Sequence, residues 1–186
     1  MKRIFCLLLV LSSTAQANSN LIGPQLQVAM ETETECLAMN IYHEARSERT
    51  AGMWAVADVT INRVKSIQFP NTVCEVVKQG AVYESWKTKR FPNLPDSERI
   101  YNPRKGQCQF SWYCDGKPDV PTEMDSWARS LSVARSVLIY DLGLGLTDGG
   151  DHYHTSSIDP YWNDNMIHIT TIGNHKFFKS NRQILL

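Results

Sequence analysis

The sequence has no excess of charge of either sign: 19 basic residues stand against 19 acidic ones in 186. A general nucleic-acid binder would carry a marked basic excess, so no nucleic-acid partner is expected. Beyond the N-terminus there is no long apolar run, which argues against a permanent membrane anchor. Internal repeats, low-complexity tracts and a linker-like stretch are also missing, and the length suits one domain. No two cysteines are spaced C-x₂-C, so a zinc cluster has no support in the pattern. Strands and helices do not alternate as βαβ units, which disfavours a parallel sheet.

What is present begins with Lys2-Arg3, an apolar run from Ile4 to Val10, and Ala15-Gln16-Ala17. That order is a basic region, a short apolar region and a small-residue cleavage site. Residues 1–17 therefore read as a cleavable signal peptide that carries Cys6 away with it. The remainder is expected to be periplasmic or secreted. Without Lys2 and Arg3 the balance becomes 17 basic to 19 acidic residues. Residues 18–31 read as an irregular lead-in and residues 32–186 as a single domain.

The spacing predicts a first helix from Thr32, where Thr32-Glu33-Thr34-Glu35 has the form of a capping box. Leu37, Ile41 and Ala45 form its apolar stripe. A second helix is predicted over 50–65, with Met53, Trp54, Ala57, Ile61 and Val64 inward. Thr72 and Glu75 start a short helix that Gly80 can end. Residues 80–121 are irregular, with Phe110 to Tyr113 as their best strand. A third long helix is predicted over 123–141, with Trp127, Leu131, Ala134 and Leu138 inward and Gly143 as its stop. Residues 151–155, 167–172 and 175–178 read as short strands. Helices first and mixed strands later define the α+β class.

Four cysteines remain in the exported part: Cys36, Cys74, Cys108 and Cys114. An even number in an oxidising compartment predicts two disulfides. If 109–113 is extended, Cys108 and Cys114 lie about 20 Å apart. A disulfide needs Cα atoms within about 7 Å. The expectation is therefore that each pairs with Cys36 or Cys74, with Cys74–Cys114 favoured.

Glu44 follows Ile41 by three residues, so it sits beside the apolar stripe of the first helix. Partial burial there raises a carboxyl pKa, and Glu48 one turn later adds a like-charge push in the same direction. A carboxylic acid still protonated near neutral pH can protonate a glycosidic oxygen. The alternative is an ordinary solvated surface glutamate.

Several blocks resemble the SleB/CwlJ family of cell-wall hydrolases. They are Cys36-Leu37-Ala38, Ile41-Tyr42-His43-Glu44-Ala45-Arg46-Ser47-Glu48, Ala55-Val56-Ala57, Asn62-Arg63-Val64 and Phe69-Pro70-Asn71-Thr72-Val73-Cys74. Gln109-Phe110-Ser111, Cys114-Asp115-Gly116, His152-Tyr153-His154, Pro160-Tyr161-Trp162 and Ile172-Gly173-Asn174-His175-Lys176-Phe177-Phe178 follow in order. Ser47 departs from the glycine common in E-A-R-G-E. The resemblance implies a lysozyme-like α+β fold, with a helical core, a small irregular β region and stabilising disulfides. It implies cleavage of peptidoglycan glycan strands without a cofactor, and it matches Glu44 to the family's catalytic acid. A monomer is expected.

A standard glycosidase pairs two carboxylates. Asp115 is the candidate for the second, although a turn residue before Gly116 would look the same. Without it, a sugar hydroxyl can be the nucleophile, as in lytic transglycosylases. Tyr42, Asn62, Phe110, Ser111, Asp115, Tyr153, His154 and Trp162 are the candidate substrate-binding residues, offering flat faces and hydrogen-bonding groups. Asn62-Arg63 closes a helix and could equally serve as cap or ion pair. Trp54 and Trp127 lie on helical stripes and read as core. Two rival readings remain. His152 and His154 alternate on a strand and face one way, as two zinc ligands of a wall amidase or endopeptidase would. Against this, H-E-x-x-H fails at Ser47. The other rival is a non-catalytic wall-binding module.

Overall fold

The computed structural model describes residues 23–180, and the signal peptide reading falls on residues outside them. Helix α1 (Pro24–Ala45) starts well before Thr32, within the stretch expected to be irregular. Pro24 fits the first turn because its missing N–H has no intrahelical acceptor there. The hydroxyls that suggested a cap are used inside the helix. Thr32 Oγ1 donates to Val28 O at 2.9 Å and Thr34 Oγ1 to Met30 O at 2.7 Å. Glu33 does cap, but elsewhere: its Oε2 accepts from Val73 N at 2.6 Å. That amide opens α3 (Val73–Val77), where Thr72 Oγ1 also accepts from Glu75 N as expected.

Helix α2 (Thr50–Lys65) lies where the spacing put it. Helix α3 is capped at Lys78, ahead of Gly80. Gly80 instead opens strand β1 (Gly80–Glu84), antiparallel to β2 (Tyr101–Cys108). Between them lie α4 (Trp86–Lys89) and a 3-10 turn over Asp96–Glu98. This arm lacks a strand's usual alternation of apolar inside and polar outside, so its residues carry no strand signal. The expected strand at 110–113 is instead a 3-10 turn, Ser111–Cys114.

Helix α5 (Met124–Tyr140) matches its predicted span. Its stop is Asp141, left-handed at φ 53°, with Leu142 N donating to Ser136 O in a Schellman arrangement. Gly143 serves a different purpose. At φ 78° it lies against the Trp54 ring, and a Cβ there would collide with it.

Strands β3 (His152–Thr155), β4 (Met166–Ile172) and β5 (His175–Ser180) form an antiparallel sheet with β5 in the middle. Tyr153 pairs with Phe177 and His152 with Phe178. Strand alternation then puts Tyr153, His175 and Phe177 on the inner face and His152, His154 and Phe178 on the outer face. The main core lies between α1, α2, α3 and α5, filled by Leu37, Ile41, Met53, Val56, Val76 and Val137. Trp54 and Trp127 are partly buried against it, in keeping with their place on the helical stripes.

Both disulfides depart from the expected pairing. Cys36 joins Cys74, tying α1 to α3, and Cys108 joins Cys114. The 3-10 turn shortens the second path, so those Cα atoms lie 6.1 Å apart instead of at strand separation. The two bridges span 38 and 6 residues. Loop-closure entropy assigns them about 4 and about 2 kcal/mol. Urea unfolding of Cys36→Ser/Cys74→Ser should show roughly twice the stability loss of Cys108→Ser/Cys114→Ser. Equal losses, or the reverse order, would contradict that ranking.

Candidate active site

Three elements meet at Glu44: the last turn of α1, the last turn of α2 and the inner face of β3. Helix α2 is buried along most of its length, and its inward face is polar at positions 58, 62 and 63. The Asp58 carboxylate accepts from Gly145 N at 2.9 Å, Thr147 N at 2.8 Å and Thr147 Oγ1 at 2.7 Å. Asn62 Nδ2 donates to Thr147 Oγ1 and Gly150 O. Arg63 Nε donates to Asp151 O at 2.7 Å. One face of one helix thus grips the 145–151 segment and fixes where β3 begins.

Arg63 is buried, at 4 % exposure. Its guanidinium carbon lies 5.2 Å from the centre of the Phe69 ring and 4.9 Å from that of Phe110. Among the described residues its Nη1 has no hydrogen-bond partner. This cation acts on Glu44, and so does Tyr153. Burial raises the pKa of the Glu44 carboxyl, while the Tyr153 hydroxyl and the Arg63 charge pull it down, and burial prevails. The Tyr153 hydroxyl is buried without a partner in ordinary hydrogen-bond geometry, although it lies near enough to Glu44 to stabilise the carboxylate. Its own pKa is driven well up, by burial first and by the Glu44 charge second. It therefore stays protonated as a donor. Asp151 is held below its usual range: burial raises it, but hydrogen bonds from His152 and Ser180 outweigh that.

Glu48 does not add the expected push. It is absent from the groups acting on Glu44 and turns instead toward the β4–β5 turn. Its carboxylate accepts from Asn174 N at 3.3 Å and lies 3.7 Å from His175 Nδ1. Gly173, at φ 59°, leaves the room it needs, since a Cβ there would strike Glu48 Oε2.

The other predicted site residues do not converge on Glu44. Asn62 is committed to the 147–150 loop and Phe110 is buried beneath Arg63. The Tyr42 hydroxyl accepts from Thr122 N at 3.0 Å and Glu123 N at 3.1 Å. Asp115 Oδ1 accepts from Lys117 N at 2.8 Å, which is the role of a turn residue before Gly116. Tyr42 and Asp115 border a hollow of about 330 Å³ beside His43 and Trp112, and Ser111 is exposed. Trp112 carries no signal in the residue spacing; its ring stacks on His43 at 4.5 Å and its Nε1 donates to Asn40 Oδ1.

His154 and Trp162 lie on the outer face of the sheet, away from Tyr153. His154 Nδ1 bonds Thr155 O and its Nε2 bonds Asn163. His152 Nδ1 bonds Asp151 Oδ1. Both histidines therefore face one way as predicted, but their partners are structural. Among the described residues no three His, Cys, Asp or Glu side chains gather as a metal site. Trp162 edges a groove of about 480 Å³ with Phe69, Gln79, Gln109 and His152. A larger groove of about 590 Å³ lies at the opposite end of α1 from Glu44.

The profile of the Cell Wall Hydrolase family matches residues 47–178, and the chain belongs to that family. The match spans Arg63, Tyr153 and Trp162 and opens at Ser47, just past Glu44. Among solved structures the chain is similar to the catalytic domain of the Bacillus cereus SleB protein. Identity is 23 %, the TM-score is 0.50, and the alignment covers 80 % of this chain and 91 % of that one. It is likewise similar to the catalytic domain of the germination-specific lytic transglycosylase SleB from Bacillus anthracis. There the values are 24 % identity, TM-score 0.50, and 80 % and 95 % coverage. These two likenesses establish the lysozyme-like α+β fold. No curated protein matches the chain.

Because burial lifts the folded-state pKa of Glu44 above its unfolded value, the folded protein binds the extra proton between the two. Stability must then fall as pH rises through that window. Glu44→Gln removes this cost. The variant should melt above wild type at neutral pH. The gap should close below about pH 4, where the carboxyl is protonated in both states. Equal melting temperatures at neutral pH would contradict a costly buried carboxylate.

Proposed function

We propose that this cell wall hydrolase cuts the glycan strands of peptidoglycan, with Glu44 as general acid and then general base. One observation carries the reading: a half-buried carboxyl of raised proton affinity that faces a fixed cation and a tyrosine hydroxyl. Protonated Glu44 gives its proton to the glycosidic oxygen as the bond to C1 breaks, leaving an oxocarbenium-like sugar. The resulting carboxylate is stabilised by the Arg63 charge and the Tyr153 hydroxyl at the moment it forms.

Among the described residues the groups that act on Glu44 are Arg63 and Tyr153, and no second carboxylate is among them. This favours the sugar's own 6-hydroxyl as nucleophile. Its oxygen bonds C1, its proton returns to Glu44, and a 1,6-anhydro end results with no water consumed. The Bacillus anthracis neighbour is by name a lytic transglycosylase, which is consistent with that route. Tyr153 is proposed to touch the reacting centre. Trp162 is proposed to take a sugar further along, where the amides of Gln79 and Gln109 suit acetamido groups. Ser111, Tyr42 and Asp115 border the opposite side, near His43. The protein is proposed to act as an exported monomer, periplasmic or secreted, after removal of residues 1–17.

Digestion of purified sacculi by wild type and Glu44→Gln tests this. The variant should lose at least about 10²–10⁴ of the rate, and wild type should release anhydro-muramic ends in mass spectra. Sacculi dissolving at the wild-type rate would refute the role of Glu44. Only reducing, hydrated ends would refute the anhydro route. Full activity in EDTA is expected, whereas its abolition would favour the metallopeptidase built on His152 and His154.

A further inference from the structure

The arm from Gly80 to Cys108 is built inside out. Its sheltered side chains are polar: Ser85 and Thr88 are buried. Ser85 N donates to Ile100 O at 2.7 Å and Ile100 N to Thr88 Oγ1 at 3.2 Å. Arg99 Nη1 pairs with Glu84 Oε1 at 2.6 Å, with both side chains largely covered. Its large apolar residues stand outside. Val82, Tyr83, Trp86, Phe91, Ile100 and Tyr101 are all exposed, Trp86 by 69 %. Of the six strongly exposed aromatic residues among the described ones, four are on this arm; Tyr140 and Tyr161 are the others. Single exposed apolar residues need no explanation, but such a concentration marks a contact surface.

The charge on the arm has one dominant sign. Lys87, Lys89, Arg90, Arg99, Arg104 and Lys105 face only Glu84, Asp96 and Glu98. Arg99 is the one of these cations that is ion-paired among the described residues. Two others are set against aromatic faces. Arg90 lies 5.6 Å from the Trp86 ring centre and 4.9 Å from that of Phe91, and Arg104 lies 5.9 Å from that of Tyr83. Each pairing presents a flat ring beside a guanidinium; Arg104 Nε donates to Val82 O at 3.3 Å, which leaves its two terminal nitrogens to face outward. A ring can cover the apolar face of a pyranose while the guanidinium takes a carboxylate in a bidentate contact. A polymer with both features is a glycan strand bearing acidic stem peptides.

The arm is also continuous with the site. Strand β2 packs on the Ser111–Cys114 turn and is tied to it by the Cys108–Cys114 bridge. Phe110, between them, is the residue beneath Arg63. We infer that the arm is a second hold on the wall: Trp86 with Arg90 and Tyr83 with Arg104 grip the anionic glycan–peptide polymer outside the reacting centre. This rests on the glycan-strand reading above. A second hold turns each later encounter into an intramolecular one, so it acts on the insoluble polymer and leaves the chemistry alone.

Cosedimentation with purified sacculi in the Glu44→Gln background, which leaves the polymer intact, tests the arm directly. Trp86→Ala/Arg90→Ala and Tyr83→Ala/Arg104→Ala should each weaken binding about tenfold. With Glu44 restored, both pairs should raise KM on sacculi while kcat on a short soluble muropeptide oligomer stays at wild type. Thermal midpoints within about 2 °C of the parent establish that the variants fold. Should they not, the milder Arg90→Gln/Arg104→Gln must weaken binding and flatten its salt dependence. Unchanged sedimentation would overturn the inference. So would loss of binding to phosphatidylglycerol vesicles with sacculus binding intact, since that assigns the arm to a lipid surface. Failure of the wild type to release sugar ends would instead count against the glycosidase reading, because sedimentation requires no turnover.

Discussion

The geometry depends on the polar face of α2. Asp58, Asn62 and Arg63 bind the 145–151 segment through backbone and hydroxyl groups, and the outer end of that segment is the start of β3. Tyr153 lies close to Glu44 on a strand held at its start by this grip and along its length by β5. Buried polar groups are costly unless satisfied, and here Asp58 and Asn62 are satisfied by the loop they hold. Arg63 is the exception: among the described residues its Nη1 has no partner, and its charge faces Tyr153, Asp151 and Glu44 together. An incompletely satisfied buried cation is a poor stabiliser of a fold. What its charge does in this place is offset part of the cost that burial puts on the Glu44 carboxylate.

The sheet divides the remaining chemistry in two. Strand alternation sends Tyr153 inward to Glu44 and sends His152 and His154 outward, under Trp162 and against Phe178. The H-x-H pattern thus serves an aromatic layer and local hydrogen bonds, while the residue between the histidines turns toward Glu44. Glu48 has a comparable division of labour from Glu44. One turn apart on the chain, one carboxylate pins the β4–β5 turn and the other faces Arg63 and Tyr153 with its pKa raised by burial.

Much of this is legible in residue spacing, and the failures have identifiable causes. The three long helices are readable because each carries a continuous apolar period, and the three strands of the second sheet because they are short runs rich in β-branched and aromatic residues. Glu44 is legible by its place next to Ile41 on a buried stripe. The start of α1 is misleading because Thr32 and Thr34 bond back along their own helix, while Gly23-Pro24 carries the true signal. The disulfide pairing fails with the strand at 110–113: aromatic residues there are β-favouring, yet Phe110 is drawn into the core and the chain turns tightly after it. The arm is invisible because its alternation is inverted, with polar groups inside. Asn62 and Phe110 read as cleft residues because an amide and an aromatic ring suit a sugar as well as they suit a loop clamp and a core.

The central claim is that the carboxyl of Glu44 keeps its proton above the ordinary carboxylate range because burial outweighs Arg63 and Tyr153. Carbon-detected NMR titration of the glutamate side-chain carboxyls in the intact protein measures this directly. The Glu44 resonance should titrate at higher pH than the exposed glutamates. A midpoint at or below theirs would mean that Arg63 wins over burial, and the carboxyl could not serve as the acid.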